Sequence, residues 1–158
     1  MTIFRSTLIA VTDMERSKQF YKDVLDAEII ADFGANVTLT GNISLQTIET
    51  WAGFIQQPDT SYINFGNASE LYYEEDDIES FVQRLEAFEV DLVHPLYVHE
   101  WGQRAVRFYD PDGHIIEVAE GLNAVVARFL DSGMTLAETA RRMGLSEDFI
   151  RTNVMGEE

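Results

Sequence analysis

Glu117 stands in the middle of an apolar β-type run, Ile115-Ile116-Glu117-Val118. Strand alternation sends Ile115, Glu117 and Ala119 to one face and Ile116 and Val118 to the other. Glu117 is therefore either a solvated edge-strand carboxylate or an acid–base group aimed into a cavity. The run follows Asp110-Pro111-Asp112-Gly113. There Pro presets φ at the second turn position, Gly supplies a positive φ, and the Asp carboxylates bond nearby backbone N–H groups. Gln103 to Tyr109 forms the other arm of the hairpin. The histidines offer little competing chemistry. His94 precedes Pro95 and reads as a loop residue at a strand end, and His114 sits at the hairpin, facing solvent.

The elements that must position Glu117 come in a repeated order. Phe4 to Val11 reads as a strand, Asp13 as a helix N-cap, and Met14, Phe20, Tyr21, Val24 and Leu25 as a helical stripe. Strands follow at Glu28–Phe33, Asn36–Thr40 and Ile43–Glu49, with turns at Gly34 and Gly41-Asn42. Residues 50–67, with Trp51, Phe54, Tyr62 and Phe65, read as a packed linker. The order then recurs. Leu71–Glu74 is a strand, Asp77 an N-cap, and Ile78, Phe81, Val82, Leu85 and Phe88 an amphipathic stripe. Strands follow at Val90–Val93, Gln103–Tyr109 and Ile115–Val118. A shift of 64 places Asp13 on Asp77, Gln19 on Gln83 and Ser6 on Glu70. An internal duplication accounts for this. The expected fold is α+β, two tandem βαβββ modules (about 4–49 and 68–120) within a domain of residues 1–121. Side by side they would bury their helix-facing residues and enclose a cavity between bent sheets. Leu45 fits the core face, which turns Ser44 and Gln46 the other way and makes Gln46 the counterpart of Glu117.

Composition narrows the partners. With 28 acidic and 11 basic residues the net charge is −17, which repels nucleic acid and anionic membranes. No cysteine is present, so disulfides and thiolate metal sites are excluded. No signal-like start and no apolar run of membrane-spanning length appear, and a cytoplasmic protein is expected.

The doubled unit, Val11-Thr12-Asp13 entering the first helix, and Trp101-Gly102-Gln103-Arg104 leading to Asp110-Pro111-Asp112-Gly113-His114-Ile115-Ile116-Glu117 resemble the vicinal oxygen chelate superfamily over roughly residues 4–120. That group holds glyoxalase I, fosfomycin-resistance enzymes, extradiol dioxygenases and bleomycin-resistance proteins. The resemblance implies a metal or ligand position held by Ser6, Gln46, Glu70 and Glu117. Metalloenzyme members usually place His where Ser6 and Glu70 stand, so no metal ligand is assigned and no cofactor is expected. The all-oxygen set leaves Mg²⁺ or Mn²⁺ as the alternative. In this fold His99 borders the cavity mouth and is a candidate ligand contact. Trp51 and Trp101 either wall the pocket by stacking or simply pack. Arg107 alternates with Val106 and Phe108, so it is either exposed or turned inward to offset Glu70 or Glu117. Glu70 and Glu117 lie on neighbouring strands of the family's arrangement. Two such carboxylates cannot both ionise cheaply, so one is expected to hold its proton.

Residues 122–158 are helix-type, and Thr135 to Ile150 resembles a helix-turn-helix with Ala140 and Gly144 at the small and turn positions. Its second helix begins Ser146-Glu147-Asp148, which is wrong for reading DNA. The tail is read as a docking or dimer-supporting appendage. The leading functional expectation is a homodimeric small-molecule-binding protein that lacks the usual His-based metal site. In that reading Ser6, Gln46, Trp51, His99, Trp101 and Arg107 are candidate ligand contacts. The alternatives are a glyoxalase-like lyase or isomerase with Glu117 or Glu70 as base, and an interaction protein acting through the tail.

Overall fold

The computed structural model describes residues 2–57, 59–63 and 66–156. It divides into two units. The first is Met1–Ser69 with the turn Asp110–His114, and the second is Glu70–Tyr109 with Ile115–Glu158.

In the first unit the order is β1 (Thr7–Val11), α1 (Met14–Leu25), β2 (Ile29–Asp32), β3 (Asn36–Leu39) and β4 (Ile43–Thr47). The four strands form one sheet in the order β1-β4-β3-β2, with β1 and β4 parallel and the other pairs antiparallel. Asp13 caps α1 by accepting from Arg16 N, and α1 lays Ser17, Tyr21 and Val24 onto the core. Val11, Val37, Leu39 and Leu45 fill that core from the sheet. β1 starts at Thr7, so Ser6 lies just before it. The residues after β4 turn at once into α2 (Ile48–Phe54), where a strand was expected through Glu49. Ile48 and Ala52, four apart, are its buried residues, a helical spacing that a short apolar run does not distinguish from a strand. Of the linker aromatics, Phe65 and the side chain of Tyr62 lie outside the described residues.

The Asp-Pro-Asp-Gly turn is fixed by carboxylates, as its sequence implies. Asp110 Oδ1 accepts from the N–H groups of Asp112 and His114, both at 2.9 Å. Asp110 Oδ2 accepts from Tyr21 Oη at 3.0 Å and faces His114 Nδ1 at 2.8 Å. Asp112 accepts from the N–H and hydroxyl of Thr12. His114 is therefore held against Asp110, with only a fifth of its side chain exposed, in place of the solvent-facing ring expected.

The second unit repeats the pattern with β5 (Glu70–Glu75), α3 (Ile78–Leu85), β6 (Leu92–Val98), β7 (Arg104–Tyr109) and β8 (Ile115–Glu120). Its sheet runs β5-β8-β7-β6, with β5 and β8 parallel. One face carries Ile116, Val118, Val106 and Phe108 with α3, whose Phe81 ring lies 6.3 Å from that of Phe108. β6 extends five residues beyond the expected end at Val93. Pro95 is tolerated because β6 is an edge strand with register shifts at Leu92/His94 and His94/Tyr97. His94 is thus a strand residue.

Three helices follow: α4 (Leu122–Asp131), α5 (Leu136–Met143) and α6 (Glu147–Phe149), the last passing into a π-helical turn, Ile150–Val154. Thr135 and Glu138 form a reciprocal capping box at α5, and Gly144 ends it at φ 68°. Val125, Val126, Phe129, Ala140, Met143 and Ile150 make the tail's own core. α4 is fastened to the sheet by charge. The fully buried Glu120 carboxylate takes two hydrogen bonds from Arg104 (3.1 and 2.8 Å) and two from Arg128 (3.0 and 2.8 Å). Burial pushes the Glu120 carboxyl up, but the two guanidiniums hold it below its ordinary value.

Candidate functional site

Strand register in the second unit assembles a polar cluster on the sheet face away from α3. Arg107 on β7 pairs directly with Glu117 on β8, Glu117 with Tyr72 on β5, and His94 on β6 with Arg107. Glu70, two residues before Tyr72, shares that face. Arg107 spends its guanidinium within the cluster. Nε donates to Glu70 Oε2 at 2.8 Å, Nη2 donates to Glu117 Oε2, and Nη1 lies 3.2 Å from His94 Nε2. Arg107 thus faces inward and bridges both carboxylates.

The two carboxyls are not equivalent. Glu117 is 5% exposed, whereas the Glu70 side chain is 37% exposed. Burial, then a hydrogen bond with Glu70, pushes the Glu117 carboxyl up to about 7, against the pull of Arg107. The hydrogen bond from Arg107 holds Glu70 below its ordinary value. The pair therefore shares a proton that resides on Glu117, with Glu70 ionised.

Beside this cluster runs a band of aromatic rings. Tyr97 stands edge-on to His94 and to His99, with centroids 6.1 and 5.2 Å apart, and His99 stacks on Trp101 at 4.2 Å, 9° from parallel. Tyr72, Tyr97 and Trp101 are each between 41% and 53% exposed, an unusual cost for large rings unless something covers them. Burial lowers the His99 pKa, and its Nε2 is out of water with no hydrogen-bond partner. Gln103, 7% exposed, ties the band together. Its Oε1 accepts from Trp101 Nε1 at 3.0 Å, and its Nε2 donates to Glu120 O at 2.8 Å and to Tyr72 Oη at 3.2 Å. Tyr72 Oη in turn donates to Glu74 Oε1 at 3.0 Å.

The remaining sequence candidates lie in the first unit. Ser6 accepts from Ser44 Oγ at 3.2 Å. Gln46, 2% exposed, donates to Ala35 O (2.9 Å) and Thr50 Oγ1 (2.5 Å) and accepts from Asn36 Nδ2 (2.9 Å). Trp51 is half-buried on α2. Sequence reasoning missed Tyr72, Gln103, the inward ring of His94 and the Glu120 clamp. Alternation from Glu117 onto β5 would have pointed to Tyr72. Gln103 bore no such signal, because an amide's partners depend on the loop that brings them. Among the described residues no three His, Asp or Glu side chains gather as metal ligands.

With this geometry in hand, comparison with known proteins locates the chain. A family model described as a glyoxalase-like domain matches residues 4–123. None of the curated proteins matches. Among solved structures, a protein of unknown function from Agrobacterium tumefaciens str. C58 is 34% identical, over 76% of this chain and 94% of that one, with a TM-score of 0.65. A glyoxalase/bleomycin resistance protein/dioxygenase family enzyme from Burkholderia phytofirmans PsJN is 18% identical, over 73% and 96%, with a TM-score of 0.65. Lactoylglutathione lyase from Agrobacterium tumefaciens is 22% identical, over 77% and 96%, with a TM-score of 0.59.

Proposed function

The chain belongs to the glyoxalase-like domain family of the vicinal oxygen chelate superfamily, and from that premise we propose that it binds a small organic molecule beside the polar cluster on the face of its second sheet away from α3, without a metal. The observation that carries this reading is the Glu70–Arg107–Glu117 cluster: a proton-holding carboxyl, its ionised partner and a guanidinium, bordered by exposed rings. Donor chemistry supports the metal-free form. The two carboxylates that the family resemblance would offer to a cation already hold the Arg107 guanidinium, which repels a divalent ion. Gln46 spends its amide on Asn36, Ala35 and Thr50. This set does not fit Mg²⁺ or Mn²⁺.

Net charge supports a neutral or cationic small molecule and argues against nucleic acid. No helix among the described residues is long and apolar enough to cross a membrane. A homodimer is part of the proposal. The edge strands β2 and β6 leave Ile29, Ile30, Leu92 and Val98 about half exposed or more, a liability that a second copy would remove. Sedimentation velocity showing a monomer at micromolar concentration would exclude it.

One observation favours a catalytic variant of the reading. A carboxyl at about 7 suits a general base at neutral pH. In a lyase or isomerase Glu117 would take the proton next to a carbonyl, and Arg107 would stabilise the enolate oxygen. The test is a thermal-shift screen of carbonyl and heteroaromatic compounds against wild type and Glu117→Gln. Hits should stabilise the wild type and lose most of their effect in the variant. Equal shifts in both proteins would place the ligand elsewhere. Loss of an α-proton into D₂O, abolished in Glu117→Gln, would separate catalysis from binding.

A further inference from the structure

Gln103 has no place in the acid–base cluster, yet it is buried, both its amide hydrogens are donated and its oxygen accepts. Its partners fix the orientation of the amide. The Trp101 indole N–H needs an acceptor and the Glu120 carbonyl needs a donor, so Oε1 and Nε2 cannot exchange. One amide therefore grips two exposed rings from distant parts of the chain, Trp101 before β7 and Tyr72 on β5. The Trp101 nitrogen and Tyr72 oxygen are thereby kept within about 8 Å of each other.

The loop that carries Trp101 is pinned independently. His99 N–H donates to Gln103 O and Gly102 N–H to His99 O, both at 2.8 Å. From α4, Arg128 Nη2 donates to Gly102 O at 2.7 Å. Exposed rings are normally free to swing, and here they are not. Rigid, half-exposed aromatic rings are pre-organised for a flat partner, because the entropy of ordering them is spent before binding. His99 already lies flat on Trp101 at stacking distance. The charge around the rings selects the partner. Glu74 accepts from Tyr72, and the guanidiniums near the rings are engaged by carboxylates, Arg107 by Glu70 and Glu117, and Arg104 and Arg128 by Glu120. An aromatic face beside the Glu74 carboxylate attracts positive charge.

We propose that Gln103 is a positioning residue that holds Trp101 and Tyr72 as a rigid aromatic platform for a planar heteroaromatic cation. The proposal rests on the small-molecule reading above and names its ligand class. Gln103 acts only through the rings and touches no ligand itself.

The probe is 9-aminoacridine, a planar cation, with 2-naphthalenesulfonate as the planar anion. Binding is read from Trp101 fluorescence in a Trp51→Phe background. The cation should quench Trp101 saturably and bind at least about tenfold more tightly than the anion. Trp101→Ala, followed by the probe's own fluorescence, should weaken the cation about tenfold. Gln103→Leu should do the same while raising the quenching of Trp101 by acrylamide, which reports a freed ring. The double variant should lose no more than either single one, since both act through one ring. Tyr72→Phe removes a single hydroxyl from an exposed ring and leaves the core alone. It should weaken the probe about threefold with an unchanged melting temperature, so the proposal is tested even if Gln103→Leu folds poorly. Full affinity in Tyr72→Phe, additive losses in the double variant, or equal binding of cation and anion would each overturn it. Glu117→Gln separates this proposal from the reading beneath it. If probe binding depends on Gln103 but not on Glu117, the platform stands and the Glu117-centred site fails.

Discussion

Glu117→Gln exchanges a buried carboxyl for a neutral group of nearly the same shape, and its effect on stability should depend on pH. In the folded protein Glu117 holds its proton up to about 7, against 4.5 for an unperturbed carboxyl. Between those values the folded state binds a proton that the unfolded chain has lost, so stability falls as pH rises through the window. Each pH unit crossed is worth about 1.4 kcal/mol, which makes the wild type about 3 kcal/mol poorer at pH 8 than at pH 4.5 on account of this one group. The variant lacks that dependence. Urea midpoints of both proteins at pH 4.5, 6, 7 and 8 isolate the effect, because the titrations of the other carboxylates largely cancel in the difference. The two should be nearly equal at pH 4.5, with the variant ahead by about 3 kcal/mol at pH 8. A difference that stays constant with pH would refute the reasoning. So would a variant less stable at pH 8, since Glu117 would then be an ionised partner of Arg107 throughout.

Glu120→Ala should cost about 3–5 kcal/mol by chemical denaturation, because it strands Arg104 and Arg128 against a buried site. Gly102→Ala meets two obstacles. At φ 92° a side chain is strained, and its Cβ would stand 2.1 Å from the Phe129 ring, so a loss above about 2 kcal/mol is expected, with Trp101 emission shifted to the red. Tyr21→Phe removes the hydroxyl that donates to the buried Asp110 and should cost about 1–2 kcal/mol in the same assay.

What could be read from the sequence was what local chemistry dictates. The Asp13 and Asp77 caps, the Asp-Pro-Asp-Gly turn and the alternation around Glu117 depend on neighbours in the chain, and each stands in the structure as expected. Alternation alone also set Arg107 apart from Val106 and Phe108, and its only open question was which way that face looked. The errors share a cause. Pro95 reads as a strand end unless the strand is known to be an edge, which is a property of the sheet and not of the residue. His114 reads as a solvent-facing turn residue until the Asp110 carboxylate is placed beside it. Gln103 and Glu120 gave no signal at all, since their partners come from two or three elements that only the fold gathers.

The duplication shows where the chemistry has gone. A shift of 64 residues sets Ser6 on Glu70 and Leu8 on Tyr72, and since Leu8 pairs with Ser44 as Tyr72 pairs with Glu117, the equivalent of Glu117 is Ser44, two residues before the Gln46 expected. In the first unit both equivalents are neutral, and Ser44 donates to Ser6. In the second both are acids, share one proton, and are bridged by an arginine. One copy of the repeat has thus become a polar scaffold and the other carries the ionisable groups. The C-terminal helices act on the same copy. Arg128 of α4 holds Glu120 and Gly102, and Phe129 lies against the glycine that shapes the Trp101 loop. On this geometry the tail is part of the second unit's frame, so an internal cut between Glu120 and Leu122 should free the Trp101 loop before it unfolds either sheet. Acrylamide quenching of Trp101 in the cut protein, followed against far-ultraviolet dichroism, would show the order. Simultaneous loss of both signals would mean that α4 supports the whole sheet and not the loop in particular.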